Sequence, residues 1–80
     1  MPDEDVIERI NALAEEEHAL FALESRGEAT SKERARLKEI QVQLDQCWDL
    51  LHQRRARRAA GLDPEVAVVR DEGTVEGYVG

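Results

Sequence analysis

Four groups of side chains in this sequence could carry chemistry. Glu15 stands three residues before His18, and Asp49 three before His52. A carboxylate and a histidine at that spacing, repeated on facing helices and projecting inward, is the ligand pattern of carboxylate-bridged di-metal bundles. Cys47 is the sole cysteine, so it can form no disulfide within the chain and no Cys-based zinc site. Arg54, Arg55, Arg57 and Arg58 make a basic run suited to phosphates or an acidic protein. Glu17 lies inside an otherwise apolar pattern, where a carboxylate is costly unless it is paired or hydrogen-bonded. No Gly-rich phosphate loop accompanies these residues.

What these groups can do depends on the elements that carry them. Val6, Ile7, Ile10, Leu13, Ala14, Leu20 and Phe21 recur at spacings of three, four and seven, which draws one apolar stripe along a helix. The pattern predicts that helix over about residues 3–25, with Asp3 or Asp5 as cap, acids in the first turn and Gly27 as its stop. Thr30 and Glu33 have the spacing of a capping box, and a helix-favouring run follows over residues 31–60 to Gly61. Along it Leu37, Ile40, Leu44, Cys47 and Leu51 alternate steps of three and four, the a and d positions of a heptad. Trp48 widens that stripe, and Arg54 and Arg58 continue its register, so the seam ends basic.

Placed on these helices, the metal pattern loses its geometry. Glu15 and His18 point roughly 160° and 100° from the centre of the first stripe, and Asp49 and His52 are turned away from the second by similar angles. A short antiparallel hairpin pairs positions whose numbers sum to about 57, which sets His18 against Glu39 rather than His52. The reading is therefore of no metal, no cofactor and no catalytic residue, and of a protein that is not an enzyme. Cys47 reads as a small seam thiol beside Trp48. Glu17 falls in the middle of its stripe with Gln41 nearest across, and the pair reads as a buried polar layer that fixes register.

Composition bounds the rest. The 80 residues hold 11 bases and 18 acids, a net charge of −7, with 41% hydrophobic and 4% aromatic residues. That excludes a two-domain enzyme and a generally basic nucleic-acid binder, and it leaves a thin core, since short chains bury a small share of their surface. Residues 1–30 carry nine acids and two bases, residues 31–60 four acids and eight bases, and residues 61–80 five acids and one base. The first two blocks are complementary, as two elements lying side by side would be. The expected organisation is a helical hairpin over 1–60 and a tail over 61–80. No apolar run reaches the length of a membrane span, and the acidic start is unlike a signal peptide, so the expected location is the cytoplasm, with no membrane partner.

The tail opens on Gly61-Leu62-Asp63-Pro64, which breaks the helix. Val66-Ala67-Val68-Val69 favours extended backbone, and Asp71-Glu72-Gly73 could turn it back through Thr74-Val75 as a β-hairpin. The alternative is an extended tail packing Val68, Val75 or Tyr78 on the helices.

Three stretches together carry a family likeness: Glu16-Glu17-His18-Ala19-Leu20; Leu44-Asp45-Gln46-Cys47-Trp48-Asp49-Leu50-Leu51 with Gln53-Arg54-Arg55-Ala56; and Val75-Glu76-Gly77-Tyr78. The chain resembles, over nearly its whole length, a family of small proteins of high-GC Gram-positive bacteria that bears only an unknown-function label. The resemblance implies a short helical protein and brings no activity, substrate or cofactor with it.

The expected fold is thus all-α, an antiparallel two-helix hairpin with an extended or β-hairpin-like tail. Two helices cannot enclose stripes this wide, and an uncovered apolar strip marks an interface. The sequence therefore predicts a homodimer, a four-helix bundle joined through Ile7, Ala14, Phe21, Leu44, Trp48 and Leu51. The function expected is that of a non-enzymatic interaction or assembly module, with itself and an unidentified protein as partners. Arg54, Arg55, Arg57 and Arg58 are candidate partner-binding residues. The rival reading, a nucleic-acid-associated regulator acting through those arginines, is disfavoured because acids of the first helix lie opposite them and no aromatic residue is interleaved for base stacking.

Overall fold

The computed structural model describes residues 3–75. Helix α1 runs Glu4–Ser25 and helix α2 Ser31–Ala59; a 3₁₀ turn over Pro64–Val66 and a single helical turn, α3, over Glu72–Val75 follow. No strand occurs among the described residues.

Helix ends are set by local chemistry. Thr30 closes a full capping box: its hydroxyl accepts from the Glu33 amide at 3.2 Å, and its own amide donates to the Glu33 carboxylate at 2.9 Å. Both long helices end on a glycine in the left-handed region, Gly27 at φ 70° and Gly61 at φ 72°. After α1 the amides of Gly27 and Glu28 donate to the carbonyls of Glu24 and Leu23; after α2 those of Gly61 and Leu62 donate to Arg58 and Arg57. Each pair is a Schellman motif, which satisfies end carbonyls that would otherwise lack donors. The start of α1 departs from expectation. Asp3 stands at its N-cap but makes no side-chain cap, because its carboxylate reaches across the hairpin to Arg58.

Five residues join α1 to α2, which forces an antiparallel pair. The buried core is one seam: Val6, Ile10 and Leu13 of α1 against Leu37, Ile40 and Leu51 of α2. Leu44, Cys47, Trp48 and Leu50 pack partly against the Val6–Ile10–Leu51 end. The molecule is 49 Å long, close to the ~44 Å that 29 residues of α-helix span.

The tail is not a β-hairpin. Asp63 caps the 3₁₀ turn by accepting from the Glu65 amide at 2.9 Å, with Pro64 supplying the fixed first φ. Ala67 is then in extended backbone and residues 67–70 form neither helix nor strand; no second strand returns among the described residues, and the stretch expected to turn and come back forms α3 instead. The backbone of residues 67–70 finds its hydrogen bonds on α2. Gln53 Nε2 donates to the Val68 carbonyl at 2.7 Å and Gln46 Nε2 to the Arg70 carbonyl at 3.2 Å. These contacts make residues 67–70 a strap along the helix. Val66, Val68 and Val69 stay 57–64% exposed, so polar groups hold the strap, and the expected packing of Val68 on the helices does not occur. The Val75 side chain and Tyr78 lie outside the described residues.

Candidate interaction surface

At the open end of the hairpin, acids at the start of α1 meet the basic end of α2. Arg54 is 8% exposed; its Nη1 lies 3.2 Å from Asp5 Oδ1 and 3.8 Å from Asp3 Oδ1. Arg58 forks onto both oxygens of Asp3, with Nη1 at 3.4 Å from Oδ1. The hydrogen bond from Arg58 holds the Asp3 carboxyl below its ordinary range against the opposing effect of burial. Arg57 Nε donates to the Asp63 carbonyl at 2.6 Å, and Arg55 is exposed. Of the four candidate arginines, two are therefore engaged by acids of α1 and a third by the start of the tail.

The two long sides of the hairpin differ. On one, Arg9 donates to Gln43 at 3.2 Å, and Arg36 grips both carboxylate oxygens of Glu16 at 2.7 and 2.9 Å. The strap lies toward this side. Its anchor is Arg70, whose Nε donates to Asp49 Oδ2 at 2.7 Å while Nη2 reaches Oδ1; Gln53 Nε2 adds a third bond to Oδ2 at 2.9 Å. Asp49 is 1% exposed. The Arg70 hydrogen bond outweighs burial and holds its carboxyl below the usual range. Beside the strap an open cleft of about 340 Å³ lies among Val6, Arg9, Cys47, Leu50 and Val69. Burial pushes the Cys47 thiol up, the opposite of what an activated nucleophile needs.

Among the described residues the other side has no strap. A helix turns about 100° per residue. Counting from the buried seam, Ile7, Ala14 and Phe21 of α1 and Gln41, Leu44 and Trp48 of α2 therefore all fall on the face turned away from Arg9, Gln43 and the strap. Ile7 is 42% and Phe21 45% exposed, Ala14 is exposed, and Leu44 and Trp48 are half-buried. Trp48 stacks on His52 with centroids 6.3 Å apart.

Three sequence readings change here. Leu51, expected at the dimer interface, is 1% exposed in the core of the single chain, because its angle points at α1 rather than at the open flank. The Glu17–Gln41 polar layer is not buried within the chain: Gln41 is exposed and Glu17 half-buried, since the packed part of the α1 stripe ends at Leu13. Asp49, whose angle turns it away from the stripe that faces α1, is nonetheless 1% exposed, because the strap covers that angle. The signal for its partner was legible, as Arg70 is the only base in residues 61–80. Glu15 and His18 are exposed, and Asp49 is given to Arg70. Among the described residues no three His, Cys, Asp or Glu side chains gather where a metal could be held. No helix among them is long and apolar enough to cross a membrane.

Comparison with known proteins returns one family. A family model described as "Protein of unknown function (DUF2630)" matches residues 2–80. Uncharacterized proteins of Mycobacterium tuberculosis and Mycobacterium bovis are each 49% identical to the chain over 79 residues, which is 98% of this chain and 91% of theirs. No solved structure matches.

Proposed function

We propose, from the premise that the chain belongs to the DUF2630 family of proteins of unknown function, that it is a non-enzymatic interaction module and that its first partner is a second copy of itself. The observation that carries this reading is the uncovered flank. Ile7 and Phe21 stand about half exposed on the side away from the strap, with Ala14, Leu44 and Trp48 between them. A second hairpin laid on that flank makes a four-helix bundle and buries the strip. It also sets Glu17 and Gln41 near the middle of the bundle, where a polar layer would select register. The interface residues in this reading are Ile7, Ala14, Phe21, Leu44 and Trp48, with Leu51 beneath them as core. A cytoplasmic setting goes with Cys47, a free thiol in a chain with no other cysteine.

Sedimentation equilibrium of the purified protein is the direct test. A species of twice the chain mass, with a melting temperature that rises with protein concentration, is the expected outcome. A folded 9.1 kDa species at every concentration would remove the proposal. The alternative, a nucleic-acid regulator using Arg54, Arg55, Arg57 and Arg58, is weakened because Arg54 and Arg58 already face Asp3 and Asp5. Tight, salt-sensitive shifts of a labelled DNA or RNA oligomer would restore it.

A further inference from the structure

We infer that the two-fold axis of this dimer runs along the helices, so that α1 of each copy packs on α2 of the other and not on its α1. The inference rests on the homodimer reading above and adds which element is met and which charges select it.

Two hairpins stacked flank to flank can close in two ways. An axis across the helices lays α1 antiparallel on α1 around Ala14. Residues 1–30 carry nine acids and two bases, so this arrangement sets an acidic helix on an acidic helix, with Glu15 of one copy beside Glu15 of the other. An axis parallel to the helices leaves every residue at its own height and sets α1 against α2 of the second copy, acidic against basic. The register is then the one the chain already shows within itself, where Asp5 meets Arg54, Arg9 meets Gln43 and Glu16 meets Arg36.

In that register Glu15 comes level with Lys38 of the second copy, Glu4 with Arg55, Asn11 with Asp45 and Ile7 with Trp48. Glu4, Glu15, Lys38 and Arg55 are all exposed. Among the described residues none of the four makes an ion pair inside its own chain, whereas Arg26, Arg36, Arg54, Arg58 and Arg70 each hold a carboxylate. Two of the exposed acids and two of the exposed bases therefore come level under the parallel axis, as Glu4–Arg55 and Glu15–Lys38; Glu8, one heptad before Glu15, comes level with Asp45, so the charge match is made at the first two heights and not at that one. Like charges placed directly opposite are what an interface uses to reject a wrong arrangement.

Charge reversal at Glu15 and Lys38 tests the axis. Both are exposed surface positions away from the buried seam, so the hairpin is retained. Sedimentation equilibrium would be run on the wild type, Glu15→Lys, Lys38→Glu and the double variant that has the wild-type net charge. Each single reversal is expected to raise the dimer Kd by about fivefold, the effect of roughly 1 kcal/mol, and the double to return within about twofold of the wild type. Glu15→Lys is the decisive member, because it lowers the net negative charge and on overall repulsion alone would tighten the dimer. Tightening by Glu15→Lys, or no change with either single variant, overturns the parallel axis. A wild type that is monomeric throughout removes the homodimer itself, a result distinct from a dimer with the wrong axis.

Discussion

Asp49 is an acid that helix periodicity assigns to solvent and that the folded chain buries. An ionised carboxylate removed from water needs several hydrogen bonds and a counter-charge; Arg70 supplies two contacts and the charge, and Gln53 a third bond. The Arg70 hydrogen bond lowers the folded carboxyl relative to the unfolded chain. The ion pair therefore stabilises the strapped state above the unfolded value of about 3.9 and is lost as pH falls through the lower folded value. Acid release of the strap is the expected outcome, followed by the Arg70 Nε–H resonance; Asp3, whose carboxyl Arg58 likewise holds low, adds loss of the hairpin-end pairs as pH falls through its own folded value. Arg70→Ala should release the strap at neutral pH: the side-chain amide resonances of Gln46 and Gln53, which donate to the strap carbonyls, should move to the positions of solvent-exposed amides, while helix content by circular dichroism stays unchanged. Resonances at their wild-type positions would show that other contacts hold the strap.

At the scale of elements, the helix boundaries follow from short-range chemistry that a sequence states outright. Thr30 and Glu33 are close in the chain and need only each other, so the capping box could be read before the fold was known and is present in it. Thr30→Ala should cost about 1 kcal/mol in urea denaturation, with the unfolding slope unchanged. Gly27→Ala places a Cβ on a backbone at φ 70° and should cost about 1–2 kcal/mol, although nothing crowds that position. The tail was less legible for a physical reason. Valines at residues 66, 68 and 69 favour extended backbone equally well in a strand or in a strap, and a lone hairpin is marginal in water. Side-chain amides of Gln46 and Gln53, far away in sequence, complete the backbone hydrogen bonds that a second strand would otherwise have supplied.

At the scale of the whole molecule, the consequence of two helices and one strap is that, among the described residues, one flank is covered and the other is not. Trp48 packs partly on the Val6–Ile10–Leu51 cluster and faces the open flank, so it belongs both to the core and to the proposed dimer. Trp48 is half-buried in the single chain; with the ring fully buried by a second copy, Trp48→Ala should cost about 3–5 kcal/mol and shift the protein toward monomer. The check is to melt wild type and variant over a hundredfold range of concentration, where an unchanged dependence would place Trp48 outside the interface. Most of the architecture was already determined by the sequence alone. Apolar spacing, caps and glycine stops are local or periodic signals; they set two helices with bounds within a residue or so of 3–25 and 31–60, their antiparallel pairing, and the meeting of Asp3 and Asp5 with Arg54 and Arg58. Only tertiary structure decided which side of the hairpin the tail takes, and with it the burial of Asp49 and the exposure of Ile7 and Phe21. That choice rests on an ion pair between residues 21 apart in sequence and on two amides meeting backbone carbonyls. Such contacts have no period and no fixed spacing: the sequence marks Arg70 as the only base of residues 61–80, but which acid it meets is decided only when the chain has closed.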